Sequence, residues 1–164
     1  MYKFEGVLCA LLLCFAGLVA YGQDSSSKQD SPSAQDSPLK VELKPAQTTV
    51  NNYQSFQVAT AIRNTATAEQ LLDVWSCSYP TQWTSDNPNV HMNLVACKKN
   101  DLLHLKIAPG KAWEKPLSIR VELAAGDGQP ESVTFRMGFK NATFVTGQPN
   151  LPMWSDPVTI TVTK

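Results

Sequence analysis

Apolar and polar residues alternate with a period of two through most of this chain, and that pattern restricts the fold more than any other feature of the sequence. Val41 and Leu43 alternate with Lys40, Glu42 and Lys44; Phe56, Val58, Thr60 and Ile62 alternate with Gln57, Ala59, Ala61 and Arg63. The same phase runs through Val90, Met92 and Leu94, through Leu103, Leu105 and Ile107, and through Leu117, Ile119, Val121 and Leu123. It returns in Val133, Phe135, Met137 and Phe139 and in Val158, Ile160 and Val162, while Leu72 and Val74 lie in a run ending at Cys77. Successive side chains of a strand point to opposite faces, so each run has one dry and one wet face. Such strands belong to antiparallel sheets stacked as a sandwich. Asn64-Thr65, Pro109-Gly110 and Gly126-Asp127-Gly128 supply turns between them. Ala66 to Asp73 is the one helical candidate, no more than a turn leading into a strand. The expected core is Phe56, Val58, Ile62, Leu105, Leu117, Ile119, Val121, Val133, Phe135, Met137, Val158 and Ile160.

Two segments precede the alternating region. Lys3 stands before an apolar run of 15 residues, Gly6 to Ala20, which is short for a bilayer crossing. Ala20-Tyr21-Gly22 places small residues where a signal peptidase cuts, so residues 1–22 read as a signal peptide removed before Gln23. Leu13 before Cys14 does not fit a lipoprotein signal. Residues 23–38 repeat Gln-Asp-Ser three times and hold no hydrophobic side chain larger than Ala. That stretch cannot bury enough apolar surface to offset its ordering entropy and reads as a flexible tether. The domain expected to fold is 39–164.

Removing residues 1–22 also removes Cys9 and Cys14 and leaves Cys77 and Cys97. An even pair in an exported chain reads as one disulfide, and the expected location is secreted or periplasmic. Lys+Arg and Asp+Glu both number 14, so the formal net charge is zero. That balance argues against nucleic-acid binding, which needs cations to neutralise phosphates, and against a polybasic membrane-surface protein. No membrane span is expected once the signal is gone.

The Leu39-Lys40-Val41-Glu42-Leu43-Lys44-Pro45 opening, the strand ending in Arg63-Asn64-Thr65, the Leu-rich strand after it and Pro109-Gly110 before another strand carry a resemblance. In these features the chain looks like a secreted, bacterial immunoglobulin-like β-sandwich and is similar to BsuPI-type proteinase-inhibitor domains. The resemblance spans 39 to about 123 and implies an all-β immunoglobulin-like fold of about seven to eight strands. The local Cys77–Cys97 pair departs from the cross-core bridge of antibody domains, and no binding residue is carried over from the family.

The residues offer little chemistry. His91 and His104 sit at the polar phase of their strands, where a surface role is expected; a metal site needs three or four converging ligands. Cys97 is followed by Lys98, Lys99 and Asn100 rather than by a copper-type His and Met. No nucleophile elbow, zinc-helix motif or phosphate loop is present. Neither a metal nor a cofactor is expected, and an enzyme is the least expected class. Asn141-Ala142-Thr143 is a glycosylation sequon, meaningful only in a glycosylating source.

The segment Trp75 to Cys97 sets aromatics among Pro, Ser, Asp and Asn. Pinned loops that show Tyr and Trp to water are binding surfaces, because those rings supply rigid contact area. The expected contact residues are therefore Tyr79, Trp83, Asp86 and Asn87, with Trp83 near the tip of a 78–89 loop and Trp154 at the same end. The competing expectation is that Trp75 or Trp83 closes the core. The function expected is non-catalytic binding of a protein partner. A carbohydrate bound on exposed aromatics, or a spacer domain with no ligand, are the alternatives.

Overall fold

The computed structural model describes residues 37–124, 128–143 and 150–163. The proposed signal peptide, the tether up to residue 36 and most of the Gly126–Gly128 turn lie outside the described residues. The folded unit extends from Asp36 to Lys164, and Pro38 already takes part in it, its carbonyl accepting a hydrogen bond from Thr65 N at 2.8 Å.

The described residues form twelve strands. In chain order they are β1 (Leu39–Pro45), β2 (Thr49–Asn51), β3 (Ser55–Asn64), β4 (Gln70–Trp75), β5 (Trp83–Ser85), β6 (Val90–Met92), β7 (Leu102–Ile107), β8 (Ala112–Val121), β9 (Glu131–Phe135), β10 (Met137–Phe139), β11 (Met153–Trp154) and β12 (Val158–Thr163). They pair into four open sheets with orders β1-β3-β8-β6, β11-β10-β5, β2-β12-β9 and β4-β7. The stretch 66–73 is a bend at 66–68 that leads into β4 at Gln70, with no helix in it. A single 3-10 turn, Tyr79–Gln82, stands where no helix was expected, with Pro80 fixing its first turn.

Register follows the apolar phase. Phe56 faces Ile119 and Val58 faces Leu117 across β3 and β8, and Val41 faces Ile62 across β1 and β3. These rows meet Val133, Phe135, Met137, Phe139, Ile160 and Val162 of the other sheets in one hydrophobic cluster. Of the twelve expected core residues, Leu105 and Val158 are half-buried and pack against that cluster; the others are buried. Leu105 lies on β7, an edge strand, and Val158 at the first position of β12, where fewer neighbours can cover them.

Two features go beyond what the alternation encodes. β2 pairs parallel to β12, with Thr49 opposite Thr161 and Asn51 opposite Thr163. Alternation encodes which face a side chain takes, not strand direction, so this pairing had no signal in the sequence. The run from Val133 to Phe139 is divided at Arg136 between two sheets, β9 pairing with β12 and β10 with β5 and β11. Alternation survives the break because Val133, Phe135, Met137 and Phe139 all stay buried.

A fully buried amide, Asn64, holds one end of the fold. Its Nδ2 donates to Ala68 O and Ile107 O, each at 2.8 Å, and its Oδ1 accepts from Ala66 N at 2.8 Å. The β3–β4 connection is thereby tied to the end of β7, and each buried polar atom is satisfied. Gly138 marks a close approach of a different kind. A Cβ there would lie 2.8 Å from Pro152 Cβ and 2.9 Å from Trp154 Cε3. Gly138→Ala is expected to lower unfolding free energy by about 1–3 kcal/mol through overpacking, read as a lower urea midpoint at unchanged slope.

Candidate functional site

Cys77 and Cys97 are bonded, with Cα atoms 5.9 Å apart and a sequence separation of 20. Asn100 braces the same junction: its Oδ1 accepts from Cys77 N at 3.2 Å and Ser78 N at 3.0 Å, and its Nδ2 donates to Ser78 Oγ at 2.6 Å. From here the chain turns through Tyr79–Gln82 and places the buried Gln82 beside β4. Gln82 Oε1 accepts from Trp75 N at 2.8 Å, while its Nε2 donates to Asp73 O at 3.1 Å and Lys140 O at 2.9 Å. Its own carbonyl accepts from Lys140 N at 2.8 Å. A side-chain amide thus substitutes for a missing ladder between β4 and the chain leaving β10.

That insertion sets the phase of the next residue, and it corrects the placement of Trp83. Trp83 is 2% exposed, not a loop tip. It opens β5 opposite Phe139, with ring centroids 5.2 Å apart in an edge-to-face contact. Thr84 and Ser85, read from sequence as part of the 78–89 loop, continue β5 and pair with β10. Trp83 Nε1 is buried with no hydrogen-bond acceptor among the described residues. A chain of rings leads outward from Phe139 to Trp113 at 6.1 Å and from Trp113 to Tyr79 at 5.9 Å. Tyr79 is half-buried and donates its hydroxyl to Pro116 O at 2.8 Å. Trp75 is half-buried at the end of β4.

The other expected contact residues serve a strand edge. Asp86 accepts from Arg136 N at 2.6 Å and Arg136 Nε at 2.8 Å, and Asn87 Nδ2 donates to Thr134 O at 3.0 Å. Together they cover the open side of β9. Trp154 lies on the outer surface across from Gly138, 38% exposed, with the Arg136 guanidinium carbon 5.4 Å from its ring centroid. The structure therefore brings Asp86, Asn87 and Trp154 together around β9, Arg136 and β10, and separates them from Tyr79 and Trp83.

The largest apolar exposure in the pinned segment lies on its returning limb. Leu94 is 64% and Val95 70% exposed, and Ala96 beside them is exposed too. The limb is fixed at one end by Asn93 N donating to Ser118 O at 2.9 Å and at the other by the disulfide. In the sequence Leu94 continues the alternation of Val90 and Met92, as the apolar phase of a strand. β6 ends at Met92, and the signal for this was present: Leu94-Val95-Ala96 are three apolar residues in succession, which breaks the period of two.

Titratable groups form small closed sets. His104 Nδ1 lies 2.6 Å from Asp73 Oδ1, and Thr143 Oγ1 donates to the other oxygen of the same carboxylate. The hydroxyl therefore faces Asp73, not the imidazole, and no nucleophile is activated by this pair. His91 Nε2 lies 3.7 Å from Glu122. No three metal-ligating side chains converge among the described residues, and no helix among them is long and apolar enough to cross a membrane. A groove of about 610 Å³ runs over Ala59 and Ala61 on the outer side of β1, β3 and β8. Two of its charges pair with each other: Arg63 Nε and Nη2 donate to both oxygens of Glu42 at 2.8 and 3.1 Å, which holds that carboxyl below its usual range.

No protein-family model matches the chain, and no curated protein matches its sequence.

Two outcomes are expected of this geometry. Trp83→Ala should cost about 3–5 kcal/mol in denaturant unfolding, as truncation of a core aromatic does. Stability should also fall in acid. Partial burial would raise the pKa of Asp73, but hydrogen bonds from Thr143 and His104 and the charge of His104 outweigh it and hold the carboxyl below its usual range. Burial of Asp86 is likewise outweighed by the backbone and side chain of Arg136. A carboxylate with a lowered folded pKa stabilises fully above its unfolded value and loses that contribution as the pH falls through the folded one. Melting temperature should drop as pH falls below about 4, and Asp73→Asn and Asp86→Asn should each flatten that slope.

Proposed function

We propose that the chain is an exported, non-catalytic module that binds a protein, built on an immunoglobulin-like sandwich. The sheet order β1-β3-β8-β6 supports the fold reading, since it follows the A-B-E-D order of immunoglobulin domains. The resemblance to BsuPI-type inhibitor domains points the same way. The disulfide supports an oxidising compartment, secreted or periplasmic, and residues 1–22 would supply the export signal.

The observation that carries the binding reading is the exposed Leu94-Val95-Ala96 limb, anchored at both ends. Contiguous exposed apolar residues on a folded domain mark contact surfaces. A limb already fixed loses little conformational entropy on binding. Aliphatic side chains suit a protein partner rather than a sugar, which would stack on aromatic faces. The aromatics turn away from that use: Trp83 is buried, Tyr79 packs edge-on against Trp113, and Trp154 carries Arg136 over its ring.

A double variant, Leu94→Asp with Val95→Asp, tests the reading. Its melting temperature is expected to stay near that of the parent, because both side chains are already in water. Affinity capture from the native secreted fraction should recover a discrete protein with the parent chain and lose it by at least about tenfold with the double variant. Equal capture by both would overturn the assignment of this limb. Recovery of no protein would favour the spacer, and glycan binding abolished by Trp154→Ala would favour the carbohydrate module.

A further inference from the structure

The edges of the sheets are treated unequally. β2, β5, β6 and β11 have three residues or fewer, too short to template another chain. β1 alternates Lys40, Glu42 and Lys44 and ends in Pro45. β9 is covered by Asp86 and Asn87, and β4 by Gln82 and Asn141, whose Oδ1 accepts from Asp73 N at 2.7 Å. These are ordinary devices against edge-to-edge pairing. β7, Leu102-Leu103-His104-Leu105-Lys106-Ile107, is six residues long and has no proline, no bulge and no inward-pointing charge.

The register shows which of its backbone groups are left over. Ser76 N donates to Asp101 O at 2.9 Å, so the hydrogen-bonded pairs of this antiparallel ladder fall at Val74 with Leu103 and Leu72 with Leu105. The neighbouring positions of β4 point the other way, and they do: Asp73 and Trp75 bond to Asn141 and Gln82. By the same alternation, the N–H and C=O groups of Leu102, His104 and Lys106 face away from β4. No backbone partner meets them among the described residues.

The side chains of β7 are fitted to a copy of themselves. On its core-facing row Leu103 remains 40% exposed, because the sheet stops there. An antiparallel β7 from a second molecule, with His104 opposite His104, sets Leu103 opposite Leu105 in both directions and extends the apolar row. On the other row Lys106 Nζ lies 3.4 Å from Glu69 and His104 Nδ1 2.6 Å from Asp73. In this pairing each Lys106 faces Leu102 of the other copy rather than a second Lys106, so no two lysines meet directly across the edge.

We infer that β7 is a self-association edge, through which two copies of this chain join their β4–β7 sheets into one four-stranded antiparallel sheet about a two-fold axis. Sedimentation velocity of the purified protein across a wide concentration range tests this, paired with amide hydrogen exchange. A monomer–dimer equilibrium is expected. The amides of Leu102, His104 and Lys106 should gain protection only as dimer forms, while those of Leu103 and Leu105 are protected throughout. Lys106→Pro removes an outward N–H and no β4 bond, and should weaken association by about tenfold or more. Leu103→Lys, an inward charge at the edge, should do the same if the proline variant misfolds. The inference is overturned by a chain that stays monomeric with those three amides unprotected, or by a dimer indifferent to both variants. Protection independent of concentration would overturn it too, because another segment of the same chain would then cover the edge.

Discussion

The carboxamide of Gln82 is the contact on which the rest of this molecule's surface depends. Between β4 and the chain leaving β10 there is no continuous ladder, and Gln82 fills the gap with three side-chain hydrogen bonds and one that its own carbonyl accepts from Lys140 N. A buried polar group without partners destabilises by about 1–3 kcal/mol. Losing this side chain would strand Trp75 N and Lys140 O, and would leave Asp73 O only its bond from Ala142 N. The insertion also fixes the phase of Trp83, because the residue after an inward amide begins a strand whose first side chain enters the core. What looks in sequence like an aromatic binding loop is made into core by the residue before it.

The disulfide works on the opposite limb. Cys97 returns the chain to the start of the excursion at Cys77, and the short path from Asn93 to Cys97 holds Leu94 and Val95 in water. A bridge of this span constrains the unfolded chain by about 3 kcal/mol on the loop-entropy model. Its second effect is local: it fixes one end of an apolar limb. The aromatic half of the excursion contributes stability, and the aliphatic half carries the exposed surface.

Polar side chains elsewhere do the work of strands. Asn64, Asn141, Asp86 and Asn87 each bond backbone groups that a neighbouring strand would otherwise have met. The domain is assembled from small open sheets, and its buried amides and edge carboxylates join or cover them.

Much of the fold was readable without coordinates. Alternation at Phe56, Val58 and Ile62 and at Leu117, Ile119 and Val121 placed those side chains inside, because a strand has only two faces and water excludes apolar groups from one of them. The cysteine pairing was readable because Cys77 and Cys97 are the two cysteines within the alternating region. The site was less readable. Asp86 and Asn87 have the composition of a binding loop and the geometry of an edge cover, and composition cannot distinguish the two. Leu94 follows Val90 and Met92 in perfect phase, yet the strand has already ended; only the unbroken Leu-Val-Ala run hinted at it. Sequence by itself determined which faces are dry, since that depends on each residue and its neighbours two positions away. Tertiary structure alone decided the direction of β2 against β12, the inward turn of Trp83 and the open edge of β7, because each depends on partners from 27 to more than 100 residues away in the chain.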